Sequence, residues 1–234
     1  MRRAAVLIVL AASALAVGVA PAGATNECRG LTVCVPVMGP WVIVPTGRGV
    51  PRPQVQYQLS CPKNFIAGGL DAELSDRAID LSFLGAIGAP VNPGITTSRD
   101  VVFLGTYVGS SNPAPSFRPH LGCMPSSGGG GRIPTAAVYP PGKPTVRRVL
   151  NVTLIPFRTT ERVVLGCQAG ERLVAAAHAV GFYTAGPPGP ALASSVSVAQ
   201  VLRAGRVVAT IHFTASLDGM RAVVQVEAVC AGGR

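Results

Sequence analysis

Apolar and polar residues alternate at period two through Val55-Gln56-Tyr57-Gln58-Leu59-Ser60-Cys61, and again more loosely through Val163-Val164-Leu165-Gly166-Cys167. That period sends successive side chains to opposite faces, so each stretch predicts a half-buried strand running into a cysteine. Further short apolar runs follow each one. After Cys61 they cover residues 65–70, 79–84, 101–108 and 117–123; after Cys167 they cover 171–180, 196–202, 206–213 and 222–230, with 146–155 as a strand ahead of the second series. In the last run Val224, Val226, Ala228 and Cys230 fall on one face.

Breakers punctuate these runs. Gly68-Gly69 predicts a bulge or a close backbone approach, and Pro119 marks 117–123 as an edge or irregular strand. Residues 85–94, 110–115, Gly186-Pro187-Pro188-Gly189-Pro190 and Leu217-Asp218-Gly219-Met220 read as loops or turns, and Arg203-Ala204-Gly205 as a hairpin. Ala175-Ala176-Ala177 gives 171–180 good helix propensity. The same segment, however, stands where Phe65 to Ala72 stand in the first series, and Gly68-Gly69 is poor in a helix, so a strand is expected.

The ends and joints have different compositions. Met1-Arg2-Arg3, an apolar stretch to about Val19 and the small-residue site Ala22-Gly23-Ala24 form the pattern of a cleaved export signal, residues 1–24. Prolines at 36, 40, 45, 51 and 53 make 25–54 an extended leader without helix, any strand in it demoted to an edge. Trp41, the single tryptophan, reads as the side chain that pins this leader to the core. Residues 125–145, with Ser126-Ser127-Gly128-Gly129-Gly130-Gly131, have the composition of a flexible linker. The expected architecture is therefore all-β: two tandem antiparallel units, 55–124 and 146–234, each a sandwich or small barrel.

Six cysteines in an exported chain point to disulfides. Cys61 and Cys123 lie 62 residues apart and Cys167 and Cys230 lie 63 apart. This matched spacing favours Cys61–Cys123 and Cys167–Cys230, leaving Cys28–Cys34. Each long loop would contribute about 4 kcal/mol and the short one about 2 kcal/mol in the chain-entropy picture.

The formal charge is +10 and nearly all arginine, yet charged residues are only 13% of the chain. A nucleic-acid interface would need a basic cluster interleaved with aromatic platforms, and Arg147-Arg148 is too little. An exported basic protein is expected to meet anionic wall polymers or a membrane surface instead, held by attraction that salt weakens; alternatively the excess of arginine over lysine, with so much alanine, glycine and proline, reflects only a GC-rich genome. No segment after the export signal is continuously apolar enough to span a bilayer, and a monomer is expected.

Motifs for chemistry are few. His120, His178 and His212 are far apart, with no His-Glu-x-x-His, and no Gly-x-Ser-x-Gly or phosphate-cradling glycine loop occurs. Charge concentrates only at Asp71, Glu73, Asp76 and Asp80. Those four offer hard oxygen ligands for Ca²⁺, or a carboxylate pair for glycoside hydrolysis; alternatively they pair with Arg77 on a solvated loop.

Cys61-Pro62 followed by Gly68-Gly69, with Val226-Glu227-Ala228-Val229-Cys230 closing the second series, resembles a repeat of uncharacterised secreted proteins from high-GC Gram-positive bacteria. The chain departs from that repeat at Gln168, where proline is usual, and at Ala175-Ala176, where glycines are. The resemblance implies a β fold, export and disulfides, and carries no catalytic residue. The function expected is a non-enzymatic extracellular or envelope interaction protein without cofactor. The alternatives are a polysaccharide hydrolase using Asp71, Glu73 and Asp76, or a calcium-stabilised module.

Overall fold

The structure is a computed structural model describing residues 25–85, 99–126, 145–154, 160–214 and 219–232. The expected export signal, the loop from residue 86 onward and the linker from residue 127 onward lie outside the described residues.

Thirteen strands form among the described residues: β1 (Val35–Met38), β2 (Trp41–Ile43), β3 (Gln54–Ser60), β4 (Phe65–Leu74), β5 (Ile79–Leu84), β6 (Asp100–Tyr107), β7 (Ser116–Pro125), β8 (Thr145–Thr153), β9 (Thr160–Gly166), β10 (Glu171–Tyr183), β11 (Val196–Arg203), β12 (Arg206–Phe213) and β13 (Arg221–Gly232). Helix is confined there to one turn, α1 (Pro190–Ala193), which follows the Gly186 to Pro190 turn and which the sequence does not signal. The alanine-rich segment 171–180 is strand, as the comparison with the first series requires; β13 lies against it from Glu171 to Tyr183, and pairing overrides its helix propensity.

All pairings are antiparallel. A seven-stranded sheet has the order β1-β7-β2-β10-β13-β8, with β4 on the other side of β7, and two three-stranded sheets have the orders β3-β6-β5 and β11-β12-β9. The first small sheet packs with Phe117, Leu121 and Cys123 of β7 and Val42 of β2; the second packs with Phe182 of β10 and Val224, Val226 and Ala228 of β13. Val42 faces the first core and its neighbour Ile43 the second, so the small sheets cover opposite faces of the large one. Cys61–Cys123 and Cys167–Cys230 each join the end of one small sheet to the closing strand beneath it. Phe117 and Phe182 are fully buried, each contributing roughly 2–3 kcal/mol.

Strand order repeats between the halves. β4–β7 with β3-β6-β5 matches β10–β13 with β9-β12-β11, and the pairing slips at Gly68 in β4 and at Val174 in β10, each seven residues after the cysteine that follows β3 or β9. The hairpin β11–β12 turns through Ala204 and Gly205, both at positive φ (49° and 71°) as a tight two-residue turn demands.

Two expectations from proline need correction. β7 contains Pro119 yet lies inside the large sheet, between β4 and the β1/β2 pair. The Pro119 carbonyl accepts from Gly39 N (2.9 Å), so its missing N–H also points at Gly39-Pro40, the break between β1 and β2, where no ladder donor is needed. A Cβ at Gly39 would come within 2.7 Å of Pro119 Cγ, so glycine lets the chain pass this ring. The leader, too, is more than a covering. β1, which contains Pro36, is an edge, but proline-free β2 is interior, with Val42 opposite both Phe117 and Gly181.

The halves also meet through polar groups. Gln225, 1% exposed, accepts from Gln58 N (2.6 Å) and donates to Gln58 O and Asn151 Oδ1 (2.9 Å each), so its carboxamide stands in for a strand beside β3. Arg147 donates to Gln56 Oε1 (2.8 Å) and to the buried carboxylate of Glu227. Burial also pushes the Tyr57 hydroxyl up, with Tyr183 beside it.

Burial raises the Glu227 carboxyl above its ordinary 4.5 despite the opposing pull of Arg147. A carboxyl raised on folding favours the native state while protonated, so its contribution declines as pH climbs from about 4.5 through the folded value. Asp76 and Glu171 are held below their ordinary values and act oppositely, losing stability as pH falls through their folded values. Denaturant midpoints taken from acid to neutral pH should therefore show the native chain sagging relative to Glu227→Gln only above about pH 4.5. Parallel profiles would mean that the carboxyl titrates normally.

Candidate functional site

The four acids expected to act together are distributed. Asp71 on β4 accepts from Asn26 N through Oδ2 (2.6 Å) and from Ala72 N through Oδ1 (2.8 Å). Glu73, one pleat along the same face, meets Arg118 and His120. Asp76 closes the turn before β5, accepting from Ala78 N (2.8 Å) and from the Tyr107 hydroxyl (3.2 Å); these hydrogen bonds, the backbone one foremost, hold its carboxyl low. Asp80 is exposed on β5, opposite Thr106. No three of the four bring ligand atoms within 4.8 Å of one another. Among the described residues the one group that does is Cys167, Glu171 and Cys230, whose two sulfurs form a disulfide.

The partners of Glu73 lead to a buried polar cluster. Arg118 and His120 stand on β7 opposite Glu73 and Asp71 of β4, on the face away from the first core. His120, 4% exposed, has Nε2 2.9 Å from Glu73 Oε1 and Nδ1 3.9 Å from Glu27 Oε1. Arg118 lies over the Trp41 ring at 4.7 Å and donates to Glu73 and to the carbonyls of Thr184 and Ala185. Trp41 is 3% exposed and so holds the leader in place. Glu27 Oε2, Arg118 Nε, Trp41 Nε1 and Ser116 Oγ are buried without a hydrogen-bond partner. Spacing gives no hint of this cluster, since Glu27, Glu73, Arg118 and His120 converge only through β4–β7 pairing and the folding back of residues 25–34. The other two histidines are placed singly, His178 beside Gln200 and His212 beside Thr160 (3.1 Å each).

The lid over this cluster is the Cys28–Cys34 loop, and glycines make its seat. Gly69 and Gly122 are paired across β4 and β7, and a Cβ on either would collide with the carbonyl of Glu27. The close approach signalled by Gly68-Gly69 is thus the loop's backbone resting on a patch without side chains, with Gly68 at the bulge beside it. Asn26 and Glu27, anchored to Asp71 and facing His120, complete the closure.

A second feature lies on the far side of the molecule's other half. Inward residues of β12 (Val207, Ala209, Ile211, Phe213) fill the second core, so the alternate positions of β9, β12 and β11 form the outer face. Cross-strand rows on that face are Val201–Val208–Val164, Arg203–Arg206–Gly166 and Ala199–Thr210–Arg162. Arg162, Arg203 and Arg206 are exposed, Val164 and Val201 are 49% and 57% exposed, and no acid among the described residues occupies this face. The Arg206 stem lies over Gly166, where a Cβ would meet its Cγ at 3.2 Å. No helix among the described residues is long and apolar enough to cross a membrane.

Gly122→Ala should lift the Cys28–Cys34 loop while leaving the core beneath β7 intact, at a cost of about 1–3 kcal/mol in stability. Mild reduction followed by thiol alkylation should then label Cys28 and Cys34 sooner than in the native chain; unchanged labelling and stability would show that the loop does not rest on this seat. Searches of protein-family models, curated proteins and solved structures found no match to the chain.

Proposed function

We propose that the chain is an exported, non-enzymatic interaction protein that holds a phosphate-bearing envelope surface through the outer face of β9-β12-β11. The observation that carries this reading is the set of exposed arginines 162, 203 and 206 around the exposed Val164 and Val201, without an acid among the described residues of the face. Guanidinium groups meet phosphate oxygens in a planar, two-pronged geometry, and their aliphatic stems cover neighbouring apolar surface. Three disulfides and the amino-terminal pattern support export. Matching strand order, matching slips at Gly68 and Val174 and matching disulfide spans support two diverged copies of one β unit, as in the secreted repeat that the chain resembles. For a hydrolase, Glu73 and Asp76 would have to be released from their present partners, which favours the binding reading.

The test uses poly(glycerol phosphate) in one arm and phosphatidylglycerol vesicles in the other, each titrated with the native chain at low and high salt. Each arginine near an anionic surface is worth about 1 kcal/mol, so Arg162→Gln/Arg203→Gln/Arg206→Gln should weaken binding roughly 100-fold. Added salt should weaken the native chain likewise. The charge-matched Arg29→Gln/Arg48→Gln/Arg77→Gln, three exposed arginines of the first half, should bind nearly as the native chain does. Equal losses in the two triple variants would reduce the effect to overall charge and sink the assignment to this face.

A further inference from the structure

β10 is paired unevenly along its two edges. Its β13 side is matched from Glu171 to Tyr183, but its other side meets β2 only at Gly181 and Phe182. β2 would have continued along β10 past Ile43. Instead Val44 N donates to Pro115 O (2.8 Å), and Pro45, without an N–H, turns the chain away. Among the described residues no strand pairs with this edge of 173–180, and no turn or loop backbone bonds to it. Alternate N–H and C=O groups of an interior strand thus face a gap.

The gap is a formed cleft of about 440 Å³. Ala176, Ala177 and Ala179 leave its floor low, Pro45 and Val55 wall it on the side of the first half, and Val196 on the side of the second. Its polar groups are Gln54, His178 and Gln200, and among the described residues no aspartate, glutamate, lysine or arginine lines it. The alanines keep the cleft open above and below the edge of β10, where larger aliphatic side chains would narrow it.

We propose that this cleft is a peptide-binding site in which an uncharged, extended segment of a partner protein adds to the free edge of β10, antiparallel to it and in line with β2. Main-chain hydrogen bonds to 173–180 supply the attachment, and about eight residues of guest match that length at roughly 3.3 Å per residue. The absence of charged lining selects a neutral segment, because a charged side chain would be desolvated there without a partner. The floor of alanines and the apolar walls suit valine, alanine and threonine, and the carboxamides of Gln54 and Gln200 suit hydroxyl or amide groups. This site is separate from the arginine face and stands without it.

The probe is a pool of end-blocked octapeptides randomised among Val, Ala, Thr and Ser, selected on the immobilised full chain, with the best sequence resynthesised. Its binding should slow exchange of those amides of 173–180 that are not already bonded to β13 in the native chain. Methylating the peptide nitrogens at one set of alternate residues should weaken binding at least about tenfold, while the other set is tolerated, because only one edge of an added strand faces β10. Ala177→Trp should abolish binding by filling the floor; the N-methyl comparison uses the native chain, so its outcome does not depend on that variant folding. Four results overturn the proposal. They are no enrichment from the pool, equal sensitivity to both methylation sets, protection of the free-edge amides of 173–180, those not bonded to β13, already present in the free chain at every concentration, which would place the chain's own segment in the cleft, and protection of those amides that grows with protein concentration, which would place a second copy there.

Discussion

Val42 sits opposite Phe117 on one side and Gly181 on the other, and through it a strand of three residues makes one sheet of the two halves. Its neighbours divide the work: Val42 faces the first core, while Trp41 and Ile43 face the other way, toward Arg118 and the second core. Short as it is, β2 tolerates no side chain where the chain crosses itself. A Cβ on Gly181 would come within 2.6 Å of Pro40 Cγ, and one on Gly39 would meet the ring of Pro119. Two prolines and two glycines thus permit the close crossing, and the pairing of β2 with both β7 and β10 follows from it. The small sheets then take opposite faces, and each long disulfide ties one small sheet to the large one.

Much of the β framework was legible because its signals are local. Period-two runs before Cys61 and Cys167, the Ala204-Gly205 turn and the matched cysteine spacing all depend on residues close in sequence or on a simple count. The strand at 171–180 became readable against its own propensity only by comparison with 65–72. Proline misled at β7, because its effect depends on what stands opposite: Pro119 is harmless beside a break in the neighbouring strand, and nothing near residue 119 announces that break. For the same reason β2 could not be recognised as interior, since it acquires that position from partners at 116–117 and 181–182.

The acids show a different limit. Asp71, Glu73, Asp76 and Asp80 are close in sequence, but Asp76 sits in the turn after β4 and Asp80 beyond it on β5 of another sheet, each with its own surroundings. Conversely, Glu27, Glu73, Arg118 and His120 look unrelated along the chain and converge through the β4–β7 register. Alternation along a strand likewise does not distinguish a polar face in water from one covered by a second layer. Gln225 and Glu227 alternate with valines as residues of a solvated face do, yet they are 1% and 2% exposed.

Counting back from the closing cysteines connects these two buried polar groups. Arg118 and His120 stand five and three residues before Cys123, and Gln225 and Glu227 stand five and three before Cys230. In each half the cysteine's face of the closing strand meets its own small sheet, and the opposite face keeps polar groups under a separate covering. The Cys28–Cys34 loop covers the first and β3 the second. Both sets retain buried atoms without partners, Glu27 Oε2 and Arg118 Nε in one, Glu227 Oε2 and Arg147 Nε in the other. Such contacts add little net stability, because desolvation offsets most of the charge attraction. Their effect is on placement: sliding β3 across this face by one residue would break the two Gln225 bonds to the Gln58 backbone and the Arg147 bond to Gln56, leaving buried polar groups unpaired at about 1–3 kcal/mol each. An apolar face would accept several registers, whereas this one accepts few, and the walls of the β10 cleft, drawn from both halves, are held at a defined separation by the same contacts.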